Sequence, residues 1–246
     1  MGLTPIERDG DALWRPDQPW NQAVHALLTH LHGVGFHGAP RSLGFDRDGR
    51  HKLTWVKGDA GRSSGEPDDR LVSSAQLIRG YHEAVRGFAA PAGLQVLVGA
   101  PVEGPIVCHN DLGPVNTVFS GARAVALIDW DLAGPGDERW DLAYAAYRSV
   151  PLYDDEYFAA RAVAPPDRGH RLRLFVDAYG LDDRGGFVDV IAQRVRSLYE
   201  TAKSWGGDQG QPGWADVWRD TRGRQWLATL DFLAANAVSW QRSLSG

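Results

Sequence analysis

Cysteine is almost missing from this sequence. Cys108 stands alone among 246 residues, which excludes an internal disulfide framework and fits a reducing compartment. Lysine is nearly missing too, present only as Lys52, Lys57 and Lys203, so arginine carries the positive charge. The formal net charge is −5. That balance argues against a nucleic-acid binder, which needs a basic face, and suits a cationic small substrate. No apolar run approaches the roughly 20 residues of a membrane span. The start, Met-Gly-Leu-Thr-Pro-Ile-Glu-Arg, has no charged segment followed by an apolar stretch, so the expectation is a cytoplasmic protein without membrane attachment. A hydrophobic content of 43% is enough for a sizeable core.

Taken in order, Ile6 to Arg8 and Ala12 to Arg15 flank the turn Asp9-Gly10-Asp11 and read as a hairpin ended by Pro16. Val24, Leu27, Leu28 and Leu31 recur at helical spacing before Gly33 and Gly35. A second hairpin, Arg41 to Phe45 and His51 to Val56, flanks Asp48-Gly49. The stretch rich in Gly, Ser and Pro that runs to Asp69 reads as a linker or surface loop. Leu71, Ala75, Ile78, His82 and Val85 share one face of a long helix, where His82 reads as a satisfied core histidine. Beyond position 141 the apolar spacing is helical throughout, broken by Trp205-Gly-Gly-Asp-Gln-Gly-Gln-Pro-Gly, which reads as a flexible loop.

The chemistry concentrates between Ile106 and Asp141. Ile106-Val107-Cys108 reads as a short buried strand that releases His109, Asn110 and Asp111 into a loop with Gly113 and Pro114. Asn116 follows, then two strands, Thr117 to Phe119 and Ala124 to Ile128, across Ser120-Gly121. A hairpin returns its second strand to the start of the first, so Asp129 should lie beside Asn116 and Asp111. Two carboxylates and a carboxamide at one loop edge suit a hard cation such as Mg²⁺, with one carboxylate left to take a proton. On this reading Asp111 is the base, and Asn116 and Asp129 are metal ligands. Singly, Asp129 and Asn116 suit turns equally well. Cys108 reads as core rather than nucleophile.

The pattern His109-x-Asp111-x-x-x-x-Asn116, followed by Ile128-Asp129-Trp130-Asp131, resembles the catalytic loop and metal-binding motif of the aminoglycoside phosphotransferase family of kinase-like enzymes. The resemblance implies an α+β, protein-kinase-like two-lobed fold, with a shortened β-rich N-terminal lobe (1–58) and a larger, mainly helical C-terminal lobe (59–246). It implies a kinase that uses Mg²⁺ with ATP or GTP to phosphorylate a hydroxyl of a small molecule, aminoglycoside-like or another amino or sugar alcohol. Members of such families handle antibiotics, sugars and choline-like alcohols. His109 and Asp141 take structural roles that brace the loop. Trp55, Val56, Lys57 and Gly58 fall at the hinge that meets the purine, although Trp55 suits lobe core equally well. Asp131, Asp154, Asp155, Glu156 and Glu200 become substrate-side acids, and Trp205, Trp214 and Trp218 either line a cleft or pack.

The chain departs from the family at its front. Too few residues precede Arg15 for a full phosphate-covering strand pair, and Arg15 stands near the position of the family's lysine. Arginine offers phosphate a planar fork rather than a point charge. The helix that follows has no glutamate to pair with it. Either Arg15 serves with a reduced phosphate cover, or nucleotide binding is weak; the alternative to an active kinase is an inactive relative that binds a nucleotide, small molecule or protein.

Overall fold

The computed structural model describes residues 6–62, 66–221 and 223–245. Strands β1 (Glu7–Asp9) and β2 (Ala12–Arg15) form the expected hairpin about Gly10, whose φ of 61° suits the turn. Helix α1 (Asn21–Gly33) follows, then β3 (Ser42–Phe45) and β4 (His51–Thr54). These strands make one antiparallel sheet in the order β1-β2-β4-β3, in which Arg15 faces His51. The apolar stripe read from the sequence is the one α1 buries, with Leu27, Leu28 and Leu31 inaccessible to solvent. Each fully buried leucine contributes about 2 kcal/mol.

The stretch after the hinge is more ordered than a linker. Strand β5 (Asp59–Ala60) pairs later with β7, and the Gly61 N–H donates to the carbonyls of Pro114 and Thr117. Gly58, at φ 146°, lies where a Cβ would stand 2.4 Å from the Phe119 carbonyl, so only glycine lets the chain pass this close. Part of the Gly, Ser and Pro stretch, residues 63–65, lies outside the described residues. Helix α2 (Asp68–Val85) then crosses the molecule, with two aspartates at its positive end.

Strand β6 (Ile106–Cys108) is fully buried, and the Tyr81 hydroxyl of α2 donates to the Val107 carbonyl. Strands β7 (Thr117–Ser120) and β8 (Arg123–Leu127) form the second hairpin and join β5 in a three-stranded sheet. Strand β9 (Gly134–Gly136) pairs with β6.

Helices α3 (Glu138–Ser149), α4 (Asp155–Ala159), α5 (Arg168–Tyr179) and α6 (Phe187–Thr201) build the larger part of the chain. α3 packs on α6, and α5 packs on α2. The first four residues of the expected flexible loop, 205–208, are instead helical. A π-helical turn (Ala202–Asp208) extends α6, and α7 (Trp214–Thr221) packs against it. Trp205 meets Trp214 edge to face with ring centroids 5.7 Å apart, and the Gln211 N–H donates to the Trp205 carbonyl. Aromatic burial thus overrides the glycine-rich composition. Helix α8 (Arg224–Ser245) closes the chain. Among the described residues no helix is long and apolar enough to cross a membrane.

Candidate active site

The loop after β6 is pinned from three helices. Asp141, buried in α3, accepts the backbone N–H of His109 at 2.7 Å and that of Asn110 at 2.8 Å. His82 of α2 reaches the same carboxylate at 3.2 Å and the Tyr179 hydroxyl at 2.7 Å, so both of its ring nitrogens are engaged. Arg194, buried in α6, donates to the Asn110 carbonyl at 2.6 Å. Burial by itself would raise the Asp141 pKa, but the hydrogen bond and charge of His82, the charge of His109 and the His109 N–H together hold it below the usual carboxylate range. Asn110 adopts left-handed φ of 63°, which asparagine tolerates, and its side-chain amide donates to the Leu132 carbonyl.

His109 ties this loop to the end of β8. Its Nε2 lies 3.0 Å from the Ile128 carbonyl, its Nδ1 accepts from the Asp111 N–H at 3.3 Å, and its ring packs against Trp130 at a 50° tilt. Cys108 is core, as its position in the strand suggests, and burial pushes its thiol pKa well up.

Asp111 receives a hydrogen bond on each carboxylate oxygen. The Asn116 carboxamide donates to Oδ2 at 2.8 Å and to the Asp111 carbonyl at 2.9 Å, while the Tyr144 hydroxyl donates to Oδ1 at 2.5 Å. The hairpin returns as its spacing predicts. The Ile128 N–H donates to the Asn116 carbonyl, so Asp129 emerges next to the turn that carries Asn116. Asp129 is itself left-handed at φ 65°, a conformation that aspartate also tolerates. Arg15, buried at the end of β2, donates through Nη2 to Oδ1 of Asp129 at 3.1 Å and to Asp131.

Asp111, Asp129 and Asp131 line one cavity of about 400 Å³. Among the described residues no three His, Cys, Asp or Glu side chains form a self-sufficient metal site. The donors present are nonetheless hard oxygens, and the Asn116 amide nitrogen points at Asp111, leaving its oxygen as a donor. The guanidinium between Asp129 and Asp131 already stands in for a cation. The set fits Mg²⁺, which needs only one or two protein oxygens beside water and phosphate.

The remaining expected residues lie elsewhere. Trp55, Val56 and Lys57 line a separate cavity of about 500 Å³ with Phe36 and Pro40, and the Arg8 guanidinium covers the Trp55 ring at 4.4 Å. Asp154 caps α4 and accepts from Gln225, Asp155 pairs with Arg168 at 2.7 Å, and Glu156 is exposed. Neither these three nor Glu200 of α6 is among the residues that line the cavity; the start of α4 spends its acids on its own cap and on surface partners. Of the three tryptophans, Trp214 reaches the cavity, whereas Trp205 packs on Trp214 and Trp218 on Tyr199.

Sequence reasoning missed Tyr144, Arg148, Gln95 and Arg194. Tyr144, Arg148 and Gln95 line the cavity, and Gln95 donates to the Asp131 carbonyl at 2.5 Å. One signal was available. Asp141, Tyr144 and Arg148 are spaced i, i+3, i+7, which sets all three on one helical face. Arg194 carries a similar signal, because it falls between Ile191 and Leu198 on the apolar face of its helix, where a charged residue stands out.

Comparison with known proteins adds three findings. Residues 94–175 match the model of a phosphotransferase enzyme family. The chain is 33% identical over 244 residues to the trifolitoxin immunity protein of Rhizobium leguminosarum bv. trifolii, covering 92% of each. Among solved structures, it resembles the GDP complex of aminoglycoside 2'-phosphotransferase-IIIa (TM-score 0.59, 16% identity, 95% of this chain and 90% of that one). It also resembles a choline/ethanolamine kinase family protein from Mesorhizobium loti (TM-score 0.57, 16% identity, 99% and 90%). Likeness at this identity shows a shared kinase-like fold.

Proposed function

The chain belongs to the phosphotransferase enzyme family, and we propose that this small-molecule kinase transfers the γ-phosphoryl group of ATP or GTP to a hydroxyl of its acceptor within the cavity lined by Asp111, Asp129 and Asp131. The observation that carries this reading is the convergence of those three carboxylates on one pocket. Residues 1–58 then serve as the nucleotide-side lobe and 59–246 as the lobe that holds the catalytic loop and the acceptor.

Asp111 is the base. The hydrogen bonds from Tyr144 and Asn116 orient its carboxylate and leave lone pairs to accept the acceptor's hydroxyl proton as the oxygen attacks. Asp129 and the Asn116 oxygen would hold Mg²⁺, which when bound neutralises phosphate charge. Arg15, moving from the carboxylates to phosphate oxygens, would supply the cationic fork that the shortened front otherwise lacks. His109 and Asp141 hold the loop in position, so a misplaced base is avoided rather than corrected. The relative's name, an immunity protein for trifolitoxin, supports a role in resistance to an antibiotic-type compound.

One observation favours the alternative of an inactive binder, namely that Arg15 engages both acids. A turnover screen over hydroxylated compounds with Mg²⁺-ATP and Mg²⁺-GTP, reading product mass, separates the two. A product heavier by one phosphoryl group, lost in Asp111→Asn, is the expected result; nucleotide binding with no phosphorylated product from any acceptor supports the binder.

A further inference from the structure

The cavity is chemically lopsided. All its carboxylates, Asp111, Asp129 and Asp131, belong to the phosphoryl-transfer end, and Arg15 engages two of them. The rest of the described lining is largely aromatic, with Trp20, Tyr144, Tyr147, Trp214 and Trp226, and its neutral polar groups are the amides of Gln18, Gln95 and Gln211; of these, Tyr144 and Gln95 reach the acidic end, donating to Asp111 and to the Asp131 carbonyl. The acids that could have met an amine, Asp154, Asp155, Glu156 and Glu200, lie outside it. An amine-rich sugar would therefore find ring faces and amides where it needs counter-charges.

Among the described residues, the only cationic side chain lining the cavity is Arg148. It stands one helical turn beyond Tyr144, and Gly113 clears its path, since a Cβ there would lie 3.2 Å from the Arg148 Cβ. Among the described residues no carboxylate comes within ion-pair distance of its guanidinium, whose charge feels Asp111 without touching it. Its recorded ring neighbour is Tyr153, with the centroid at 5.9 Å. A guanidinium in an aromatic setting without a paired carboxylate is costly to keep, and an anion entering the cavity offsets that cost. The volume of about 400 Å³ holds a molecule of one or two rings.

We propose that the acceptor is a hydroxylated, ring-bearing molecule that carries a carboxylate rather than amines, and that Arg148 selects it by charge. The inference rests on the phosphotransferase reading of the same cavity. The rings stack on the tryptophans, the carboxylate meets Arg148, and the hydroxyl reaches Asp111.

The test is a charge series on one scaffold, tyramine, tyrosol and 4-hydroxyphenylacetate, titrated calorimetrically into the full chain. The anion should bind at least about tenfold more tightly than the cation, with the neutral alcohol between. Arg148→Gln should collapse that order and Arg148→Lys should keep most of it. A flat or reversed order in the wild type overturns the proposal, as does absence of binding by all three, and neither outcome needs the variants to fold. An Arg148→Gln protein that keeps the order while losing turnover with every acceptor also overturns it, because Arg148 would then act on the phosphoryl group. Turnover with Mg²⁺-ATP or Mg²⁺-GTP separates the two readings. Charge preference without any phosphorylated product upholds the selection by Arg148 and sinks the kinase assignment. Efficient phosphorylation of an amine-rich sugar does the reverse.

Discussion

The guanidinium of Arg15 donates to Asp129 at 3.1 Å and spans to Asp131, joining the end of β2 to the end of the catalytic hairpin. A cationic group therefore already engages Asp129, the acid that Mg²⁺ would need. Arg15→Ala should destabilise metal-free protein by about 3 kcal/mol, since the largely buried Asp129 carboxylate loses its ion-pair partner and Asp131 loses one of its own. Added Mg²⁺ should restore much of that stability by binding the native state, while affinity for Mg²⁺-nucleotide falls. Thermal melts with and without Mg²⁺ and nucleotide read both effects; a Mg²⁺ response equal to that of the wild type would remove Arg15 from the competition. Asp129→Ala should abolish the Mg²⁺-nucleotide shift altogether.

Asp111→Asn keeps the shape and the partners of the base but not its proton affinity. Turnover should fall by roughly 100- to 10,000-fold, the usual range for a lost general base, with nucleotide binding retained. Tyr144→Phe, which removes the 2.5 Å hydrogen bond and leaves the carboxylate, should cost less than that. Steady-state turnover beside a nucleotide melting shift distinguishes them, and an active Asp111→Asn enzyme would refute the assigned base.

Asp141 accepts two backbone N–H groups and meets His82, all out of water. Asp141→Ala should cost about 3 to 5 kcal/mol in denaturant unfolding, the range for breaking a buried charged pair. Its depressed pKa also has a sign. The folded state binds its proton less readily than the unfolded state, so the contribution is fully present above the unfolded value of 3.8 and is lost as pH falls toward the lower folded value.

His51 titrates in a different window. It lies beneath Arg15 in the sheet, is bridged through Ser42 to His25, and burial followed by the charges of His25 and Arg15 lowers its pKa from 6.5 to about 4. Between those values the unfolded chain holds more protons than the native one, so stability rises with pH across the window and is complete above 6.5. The contribution is up to about 3 kcal/mol. His51→Asn should flatten the dependence of unfolding free energy on pH between 4 and 6.5, and an unchanged slope would assign it to other groups.

Asp155 and Glu156 are exposed, outside the cavity, and engaged at the surface if at all. Asp155→Asn and Glu156→Gln should leave the KM for the acceptor within about twofold, as surface substitutions away from special features do. A larger change would bring α4 back into the acceptor site.

How far the sequence could be read depends on chain separation. The strand Ile106–Cys108, the loop with Asp111 and the return of Asp129 beside Asn116 follow from local rules, because a hairpin of known turn length brings its two ends together whatever surrounds it. Helix faces on α1 and α2 follow from periodicity in the same way. The reading of residues 205–213 as a flexible loop failed over its first four residues because glycine content speaks of local freedom, whereas Trp205 and Trp214 pack against each other across that segment.

What the sequence determined by itself is the meeting of Asp111, Asn116 and Asp129, the proposed catalytic set, within a kinase-like order of elements, since all three are placed by one loop and one hairpin. Tertiary structure alone decided which groups surround that set: Arg15 from another sheet, Tyr144 and Arg148 from α3, Arg194 from α6, and the aromatic wall drawn from both ends of the chain. Spacing constrains only neighbours along the chain. Residues 114 positions apart, such as Arg15 and Asp129, meet because helices and sheets bury their apolar faces together, and the charges are carried to each other by that packing.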